Sequence, residues 1–352
     1  MNNNTRAECF LYEHDIAYCE SCLRNGLCLK QQLHLSNKFI CICPRCYYGH
    51  RCQFSTNSLS LTFDLLIIYN QFAIKLVYSI CILVIFCIGS LTNYATFVTC
   101  KRPKLYKTRV GTYLLTLSIF SQLSLFALLL KINYTIFISI LLDIPCKLTS
   151  YLLSITTRYT YWLTSLITID RLRITLFPSS IGLIKTHKTI AIILLTLIII
   201  IGTHIHEILF YVAMKDSNDF PICTTKYTHE IEVYNRVNVL IHYMVPFCIQ
   251  VISVTLLIIS TARSRSRVVD KAKYRNKFID QFKQQFQVHR ELYLTPIIII
   301  ISSIPHIIFS FSFACMDLSV LQRHILLITY LLSYTPQTLG FVVFILPSST
   351  YS

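Results

Sequence analysis

The sequence predicts an all-α membrane protein: a bundle of seven transmembrane helices with a small disulfide-rich extracellular domain at its N-terminus. Three observations predict this fold. The 352 residues are 54% hydrophobic and only 14% charged, whereas soluble domains carry about 25% charged residues. Seven apolar segments are long enough to cross a bilayer as a helix, which takes about 20 residues. Eight of the 15 cysteines lie within the first 52 residues.

The seven predicted spans occupy most of the chain after residue 71. The third and seventh are more polar than the others, which is typical of helices in the interior of a membrane bundle. Residues 131–145 are apolar but too short to form another span. The predicted spans are 72–98, 110–130, 145–172, 190–213, 237–260, 292–314 and 325–346.

Positive charge is concentrated in alternate connections between these spans. Residues 100–109, 170–188 and 261–291 hold 18 Lys and Arg against 4 Asp and Glu, while the N-terminal segment and the other connections hold 12 against 11. Since Lys and Arg accumulate on the cytoplasmic side, we expect a plasma-membrane protein with an extracellular N-terminus and a short cytoplasmic tail at 347–352. Because this asymmetry accounts for the net charge of +16, we expect no nucleic-acid partner.

The chain begins Met-Asn-Asn-Asn-Thr, without the apolar stretch of a signal peptide. Either the first span acts as its own signal, or the start is truncated. Two Asn-x-Ser/Thr sequons, at Asn3 and Asn133, both fall on the side predicted to be extracellular. They are candidate glycosylation sites.

The cysteines before the first span follow a specific pattern. An even, dense set in a short exposed segment indicates a disulfide framework, since so small a segment cannot bury enough core to fold unaided. The set resembles an EGF-like module over residues 9–52, between a tail (1–8) and a linker (53–71). The cysteines that carry the resemblance are Cys22, Cys28, Cys41, Cys43, Cys46 and Cys52, with Gly49 before the last.

The resemblance to EGF-like modules implies particular disulfide bonds. They are Cys22–Cys41, Cys43–Cys52, and Cys28 with Cys19 or Cys9. Cys46 would bond to the remaining cysteine, a pairing that the sequence leaves open. The alternative is a zinc cluster, but the nearby histidines lack finger spacing. The residues before Cys19 also lack the acidic pattern of calcium-binding modules, so we expect no metal and no cofactor.

Other residues are similar to the marks of one receptor family. Cys146 begins the third predicted span, and Asp170-Arg171 ends it. The distance of 25 residues from Cys146 to Arg171 corresponds to about 37 Å of helix, a little more than the hydrocarbon thickness of a bilayer. The remaining marks are Asn93, Pro178, Cys223, Pro246, Pro305 and Pro336. In this order, the set resembles class A (rhodopsin-like) G-protein-coupled receptors over residues 72–346.

That resemblance implies a role for each residue. Cys146 and Cys223 would form a disulfide bond that holds the loop after the fourth span against the third helix. Asp170 would hold Arg171 at rest, and Arg171 would turn toward the G protein on activation. The four prolines would bend the chain during activation, and Asn93 would be a buried amide that needs polar neighbours. Taken singly, Asp170-Arg171 is explained as well by an interfacial ion pair, and the prolines by tolerated kinks.

The sequence also departs from the receptor pattern. Ser121 stands where the family mostly has a sodium-binding Asp, and Leu172 replaces the Tyr of Asp-Arg-Tyr. The seventh span reads Thr335-Pro336, where the family has Asn-Pro. These departures put sodium regulation, arrestin coupling and the details of activation in doubt.

Ionisable residues inside the spans are candidate ligand contacts, because a charge in the bilayer is costly. Arg158 lies 12 residues, about 18 Å, below Cys146. It would bind an acidic group of the ligand, or form a buried ion pair with Glu207. The receptor resemblance places three more candidates in the ligand pocket, and the two histidines among them could equally be hydrogen-bonded core residues. These candidates are Thr157, His242 and His306.

The sequence narrows the ligand class and excludes a metal. No acidic residue lies in the outer half of the third span, where amine receptors of the family carry Asp, so an amine ligand is disfavoured. The long loop at 214–236, mixed in charge, favours a peptide. His204 and His206 are two positions apart, so we expect them on different sides of a helix and expect no metal site.

The combined prediction is a cell-surface receptor that signals to a heterotrimeric G protein. The basic segment 261–291, with Phe278, Phe282 and Phe286 on one helical face, would contact the G protein or lie on anionic lipid. The chain shows no nucleophile-base pattern or phosphate loop, so we expect no enzyme. An adhesion protein with little or no signalling is the first alternative. A transporter is the second, and the sequence lacks the internal repeat that would support it.

Overall fold

The structure, a computed structural model, describes residues 12–14, 27–31, 39–43, 47–48, 54–55, 67, 72–106, 108–137, 143–176, 186–215, 221–225, 227–266, 290–312 and 319–345. Most of these residues are helical. The helices are α1 (Phe72–Cys100), α2 (Pro103–Tyr106), α3 (Arg109–Phe137), α4 (Asp143–Leu176), α5 (Thr186–Thr203), α6 (Ile205–Phe210), α7 (His229–Ser266), α8 (Arg290–Ser312), α9 (Val320–Leu332), α10 (Thr335–Thr338) and α11 (Gly340–Phe344). The strands are β1 (Tyr12–His14), β2 (Leu27–Gln31), β3 (Phe39–Ile42), β4 (Tyr47–Tyr48), β5 (Phe54–Ser55), β6 (Tyr211–Lys215) and β7 (Pro221–Thr225).

Four of the described helical stretches are long and apolar enough to cross a membrane. They are Ala73–Cys100, Arg109–Ile136, His187–Phe210 and Glu230–Leu257. Their lipid-compatible surfaces consist of exposed Leu, Ile and Val side chains, because in a bilayer the apolar side chains face outward as well as inward. The chain is therefore mostly helical, with the composition of a multi-pass membrane protein.

The other three predicted spans are helical but do not meet the same combination of length and composition. α4 is 34 residues long and too polar. In α8, the apolar helix is the shorter stretch Ile297–Ser310. The segment predicted as one span at 325–346 is divided into α9, α10 and α11. Pro336 lies in the first turn of α10, where the missing N–H of proline costs nothing.

Three predicted boundaries are wrong. α3 runs on to Phe137, so part of the segment expected to connect the second and third spans is helical. The fourth span ends in a break at His204 followed by the short α6, and residues 211–213 belong to strand β6. α7 begins at His229, so the segment expected as a loop at 214–236 includes the end of β6, strand β7 and the first two turns of α7.

α4 is the central helix and contacts α3, α5, α6, α7 and β6. Its buried face is rich in hydroxyl residues, and many of these hydroxyls donate to carbonyls of the preceding turn, as Thr156 does to Leu152 at 2.7 Å. Such internal bonds satisfy polar groups where water is absent. The buried hydroxyl residues of α4 include Thr156, Thr157, Thr160, Thr164, Ser165 and Thr168.

Apolar packing surrounds this polar seam. One buried cluster joins α3, α4 and α5 around Tyr159 and Leu163, and another joins α1, α3 and α9 around Leu128 and Leu326. Gly89 allows α1 to approach α3 closely, since a Cβ at this position would lie 2.2 Å from Cδ1 of Leu125. A side chain at position 89 would therefore require the buried Leu125 side chain to move.

Short strands lie in the cysteine-rich N-terminal part. β1, β2 and β3 form an antiparallel sheet in that order, and β4 pairs with β5. Cys41 and Cys43 are both disulfide-bonded. The cysteines predicted to pair with them, at 22 and 52, lie outside the described residues, as do those at 9, 19 and 46. The EGF-like assignment therefore stays a prediction.

Candidate functional site

A disulfide-bonded hairpin covers one end of the helix bundle. β6 and β7 pair antiparallel, with Ala213 opposite Cys223, and Cys223 is bonded to Cys146 in the first turn of α4, with Cα atoms 5.7 Å apart. Tyr134 of α3 packs against this bond. The bond is the one expected from the receptor resemblance, and it holds the hairpin against α4. We call this end of the bundle the disulfide end.

Arg158 and Glu207 form a buried pair below the hairpin. Nη2 of Arg158 lies 3.9 Å from Oε1 of Glu207, and the two side chains are 9% and 4% exposed. The guanidinium also lies 5.8 Å from the centre of the Tyr243 ring, within cation–π range. Nε of Arg158 and Oε2 of Glu207 are buried and have no hydrogen-bond partner among the described residues. The two charges are therefore brought together, but their hydrogen-bonding capacity is not fully used.

The break between α5 and α6 brings further polar groups to this pair. At the break, the carbonyl of Thr203 accepts hydrogen bonds from Tyr234 at 2.9 Å and from Nδ2 of Asn238 at 3.2 Å, both on α7. Nδ1 of His206 lies 3.0 Å from the same oxygen. Side chains of α7 thus replace the helical bonds that the break removes.

The same break changes where two histidines point. The rings of His204 and His206 lie 6.2 Å apart, and both residues are buried. The expectation that they lie on different sides of one helix was wrong, because the helix is interrupted at His204. His204 also accepts a hydrogen bond from Asn238 at 3.2 Å and stacks at an angle on His242, with ring centres 4.8 Å apart.

His242 is held by a chain of hydrogen bonds. Nε1 of Trp162 donates to its Nδ1 at 2.9 Å, so its Nε2 carries the proton and donates to the hydroxyl of Thr203 at 3.0 Å. That hydroxyl in turn donates to the carbonyl of Ile200 at 3.1 Å. His242 is therefore beside the Arg158 pair as a fully hydrogen-bonded residue, and it fixes the position of α7 against α4 and α5.

The other two predicted ligand residues lie elsewhere. The hydroxyl of Thr157 is 3.1 Å from that of Ser124 on α3. His306 of α8 faces α9, where its ring lies 5.3 Å from the Tyr330 ring. The structure thus brings together three of the five predicted ligand residues: Arg158, Glu207 and His242.

A second buried cation near the disulfide end was missed in the sequence. Lys131 is 3% exposed, its Nζ donates to the hydroxyl of Ser150 at 2.8 Å, and its charge interacts with that of Glu207. It was overlooked because it follows directly on the predicted end of the second span. The signal was a lysine at the edge of an apolar run, where a position inside the helix would make it costly.

Tyr227, which lies just before α7, packs against the cluster. Its ring lies 5.9 Å from that of His206 and 6.0 Å from that of Phe210. Burial, together with the nearby Glu207 carboxylate, raises the pKa of the Tyr227 hydroxyl. The residue therefore remains a neutral phenol at physiological pH and adds no charge to the site.

The opposite end of the bundle carries a second ion pair. Nη1 of Arg109, the first residue of α3, lies 3.0 Å from Oδ1 of Asp170 near the end of α4, and both side chains are about one-tenth exposed. The sequence had predicted Arg171 as the partner of Asp170. Arg171 is half-buried at the next position, and Arg109 had been counted only as part of a basic loop. We call this end the ion-pair end; Pro178 lies outside the described residues.

Polar contacts continue from the ion-pair end toward α9 and α10. Asn93 is 4% exposed, and its Nδ2 donates to Gln122 of α3 at 3.4 Å. The Thr92 hydroxyl donates to the carbonyl of Thr338, and Nε2 of Gln337 donates to Thr160 of α4 at 3.2 Å. Asn93 therefore has the polar surroundings expected of a buried amide.

The prolines in the longer helices take part in similar contacts. Pro246 lies inside α7, and its carbonyl accepts a hydrogen bond from Ser165 of α4 at 3.0 Å. Pro305 is half-buried in α8, and Pro336 is buried in α10. Each lies in a helix that packs in the bundle, but a part in activation stays a prediction.

The glycosylation predictions remain untested. Asn133 lies in α3, where it is half-buried and its Nδ2 donates to the carbonyl of Leu129 at 2.7 Å. Acceptor asparagines usually lie in surface loops, so this placement does not favour a glycan. Asn3 lies outside the described residues.

The site contains two buried cations: Arg158, which pairs with Glu207, and Lys131, whose charge also interacts with that carboxylate. A molecule bound here could offer an anion to Arg158 and a hydrogen-bond donor to Glu207, since each retains an unused atom. The cluster lies between a hairpin lid and the centre of α4, whose far end carries the Arg109–Asp170 pair. No protein-family model and no curated protein matches the chain.

Proposed function

We propose that the chain is a cell-surface G-protein-coupled receptor that passes an extracellular signal to a heterotrimeric G protein. In this proposal seven helical segments cross the membrane: α1, α3, α4, α5 with α6, α7, α8, and the divided segment α9–α11. The observation that carries it is the course of α4. This one helix holds the disulfide, the buried Arg158 and Asp170, and it contacts most of the neighbouring helices.

The charges and the disulfide support one orientation. A disulfide bond requires an oxidising compartment, which is the outside for a plasma-membrane protein. The ion-pair end is flanked by the basic segments 100–109 and 170–188, as expected for the cytoplasmic side. The site around Arg158 would then be open to extracellular ligands, and Asp170-Arg171 would meet the G protein.

The buried charges favour a ligand with an acidic group, and a peptide over an amine. The site holds two positive charges, on Arg158 and Lys131, and one carboxylate, on Glu207. An added anion therefore lowers its net positive charge. An amine would add a third cation to this site. A peptide offers a terminal or side-chain carboxylate for Arg158 and backbone N–H groups for Glu207, and the hairpin above supplies further backbone contacts.

The test is basal G-protein activation in cells that express the full chain. We expect Asp170→Asn to raise basal signalling, because it weakens the ion pair to Arg109 that holds the end of α4. We expect Arg171→Ala to abolish signalling at equal surface expression. Lys101→Ala is the matched control, since it removes an exposed charge at the same end of the bundle and should leave signalling unchanged.

Equal and background-level signal from the wild-type chain and all variants, at confirmed surface expression, would count against a receptor with basal activity. It would favour the second candidate function, an adhesion protein with little or no signalling. The observation that favours this candidate is the division of the predicted seventh span into α9, α10 and α11. The short α10 begins with Thr335-Pro336, where receptors of the family carry Asn-Pro.

Removing residues 1–60 separates the two candidates. A receptor whose ligand binds among the helices keeps its signalling response without these residues. An adhesion protein loses cell attachment, while the helices still reach the surface. Both readouts come from the same cells, so loss of expression is distinguished from loss of either activity.

A further inference from the structure

A cavity of about 280 Å³ lies between α7 and α8. Pro246, which lines it, is 17 residues after His229 and 20 before Ser266, so the cavity is near the middle of α7. Its walls are almost entirely apolar. Met244 and Ile308 line it and are themselves 37% and 54% exposed. The cavity therefore opens on the outer surface of the bundle, toward the hydrocarbon of the bilayer.

One polar group at this cavity lacks a partner. Gln250 lines the cavity and is fully buried, and its Oε1 has no hydrogen-bond partner among the described residues. Its Nε2 donates to the hydroxyls of Thr164 at 2.9 Å and Ser165 at 3.1 Å. The Thr164 hydroxyl donates its hydrogen to the carbonyl of Tyr161, and the Ser165 hydroxyl donates its hydrogen to the carbonyl of Pro246. They can only accept from Gln250, which fixes the amide with Nε2 toward them and leaves Oε1 unbonded.

Water cannot easily satisfy this oxygen, because the cavity faces hydrocarbon. We infer that the cavity binds an apolar lipid with a hydroxyl group, of the sterol class, whose O–H donates to Oε1 of Gln250. The ring body packs on the isoleucines of α8 that line the cavity, which include Ile299, Ile304 and Ile307.

The depth of Gln250 suits a lipid of this kind. Gln250 lies seven residues before Leu257, the end of the apolar stretch of α7, which is about 10 Å along the helix. A lipid that enters from the leaflet at the ion-pair end would keep its hydroxyl toward the headgroups and its apolar body toward the bilayer centre. This is the orientation that a sterol adopts without a protein.

The size and chemistry of the cavity distinguish this ligand from an acyl chain. Ligand sites commonly span about 300–1,000 Å³, so this cavity holds the hydroxyl end of a lipid while the rest stays in the bilayer. A phospholipid acyl chain would fill the apolar walls but leave Oε1 without a donor. The inference requires only that the chain crosses a membrane and does not depend on signalling.

The test uses the full chain in lipid nanodiscs with a photoreactive cholesterol analogue. We expect labelling on α7 and α8, with cholesterol competing about tenfold better than cholest-4-en-3-one, in which a ketone replaces the donor hydroxyl. Ile307→Trp fills the cavity and should abolish this labelling. Leu195→Trp, at a position that is 58% exposed on α5, is the matched control and should leave it unchanged.

Gln250→Leu should remove the advantage of cholesterol over the ketone while labelling persists. If this variant does not fold, competition on the wild-type chain still tests whether the site prefers a hydroxyl, and Ile307→Trp still tests the location of the site. Equal competition by the ketone would identify an acyl-chain site and overturn the assignment of the hydroxyl. Labelling that survives Ile307→Trp, or that spreads evenly over the lipid-facing helices, would overturn the site itself.

Discussion

Removing one charge of the Arg158–Glu207 pair should cost much more stability than removing both. The pair is almost completely buried, with Nη2 and Oε1 3.9 Å apart. Glu207→Gln leaves the guanidinium without its counter-charge. Arg158→Met leaves the carboxylate without its ion-pair partner, with Lys131 as the remaining cation that acts on it. The double variant leaves two neutral side chains of similar size in the same space. The single variants should therefore each be destabilised, and the double variant should recover most of the loss.

The magnitude follows from the geometry. At 3.9 Å and an effective dielectric constant of about 20, the two charges attract each other by about 4 kcal/mol. Breaking a buried pair by removing one partner typically costs about 3–5 kcal/mol, because the remaining charge is uncompensated. For a chain of this size, that loss corresponds to a fall of roughly 4–7 °C in the unfolding midpoint.

The assay is thermal unfolding of the purified chain in detergent micelles, followed by tryptophan fluorescence. The chain has a single tryptophan, Trp162, which hydrogen-bonds to His242 beside the pair and so reports on this part of the bundle. A double-mutant cycle over the two single variants and the double variant gives the coupling energy, which we expect to be about 2–4 kcal/mol.

Glu232→Gln provides the matched control. Glu232 is also buried, at 6% exposed, but its partner Arg236, 2.6 Å away, is 46% exposed. Since Glu232→Gln leaves Arg236 in contact with solvent, this substitution should cost less than Glu207→Gln, which leaves a buried cation. Additive effects of Arg158→Met and Glu207→Gln would refute the reasoning. A loss from Glu207→Gln no larger than that from Glu232→Gln would refute it as well.

Three further predictions concern packing and hydrogen bonds in the bundle. Cys146→Ser and Cys223→Ser should each lower the unfolding midpoint by the equivalent of about 2–4 kcal/mol. The double variant should cost no more than either single variant, because all three variants lose the same disulfide bond. Additive losses would contradict this prediction. Gly89→Ala should destabilise the chain by about 1–3 kcal/mol because its Cβ would meet Leu125, whereas Gly202→Ala, with nothing within 4 Å, should be neutral or stabilising in the same assay. His242→Phe should shift the emission of the single indole to shorter wavelengths, because its N–H loses the acceptor at 2.9 Å; an unchanged spectrum would show that this bond does not form.

The helices could be located from the sequence because membrane helices are long and apolar. Their ends could not be placed as well, since the signal there depends on contacts between helices. The break at His204 is an example: no proline marks it, and it is stabilised by Tyr234 and Asn238 of α7. Side chains 31 and 35 residues away along the chain thus decide a local conformation, which periodicity cannot predict.

An ion pair of the candidate site could be predicted from the sequence where a buried charge had only one residue of opposite charge as a plausible partner. A buried ion pair of Arg158 with Glu207 was one of the two alternatives expected from the sequence, because both are costly charges inside predicted spans and have opposite signs. Asp170 had several basic residues nearby in sequence, and the structure pairs it with Arg109, 61 positions earlier. A choice among equivalent partners depends on how helices are arranged side by side, and a single sequence carries little information on that.

In the proposed receptor, α4 is the helix along which a signal would pass. Two carboxylates that pair with arginines along its length are incompletely satisfied: Oε2 of Glu207, beside Arg158 of α4, and Oδ2 of Asp170 are both buried without a hydrogen-bond partner among the described residues. Between them, the helix is bonded to α7 through Ser165 and Pro246 and to α10 through Thr160 and Gln337. A ligand that pairs with Arg158 weakens its attraction to Glu207, and so alters the balance that holds α4 against α6. In the proposed receptor, a shift of α4 would be passed along the helix to Asp170, where the single bonded oxygen of the carboxylate faces Arg109.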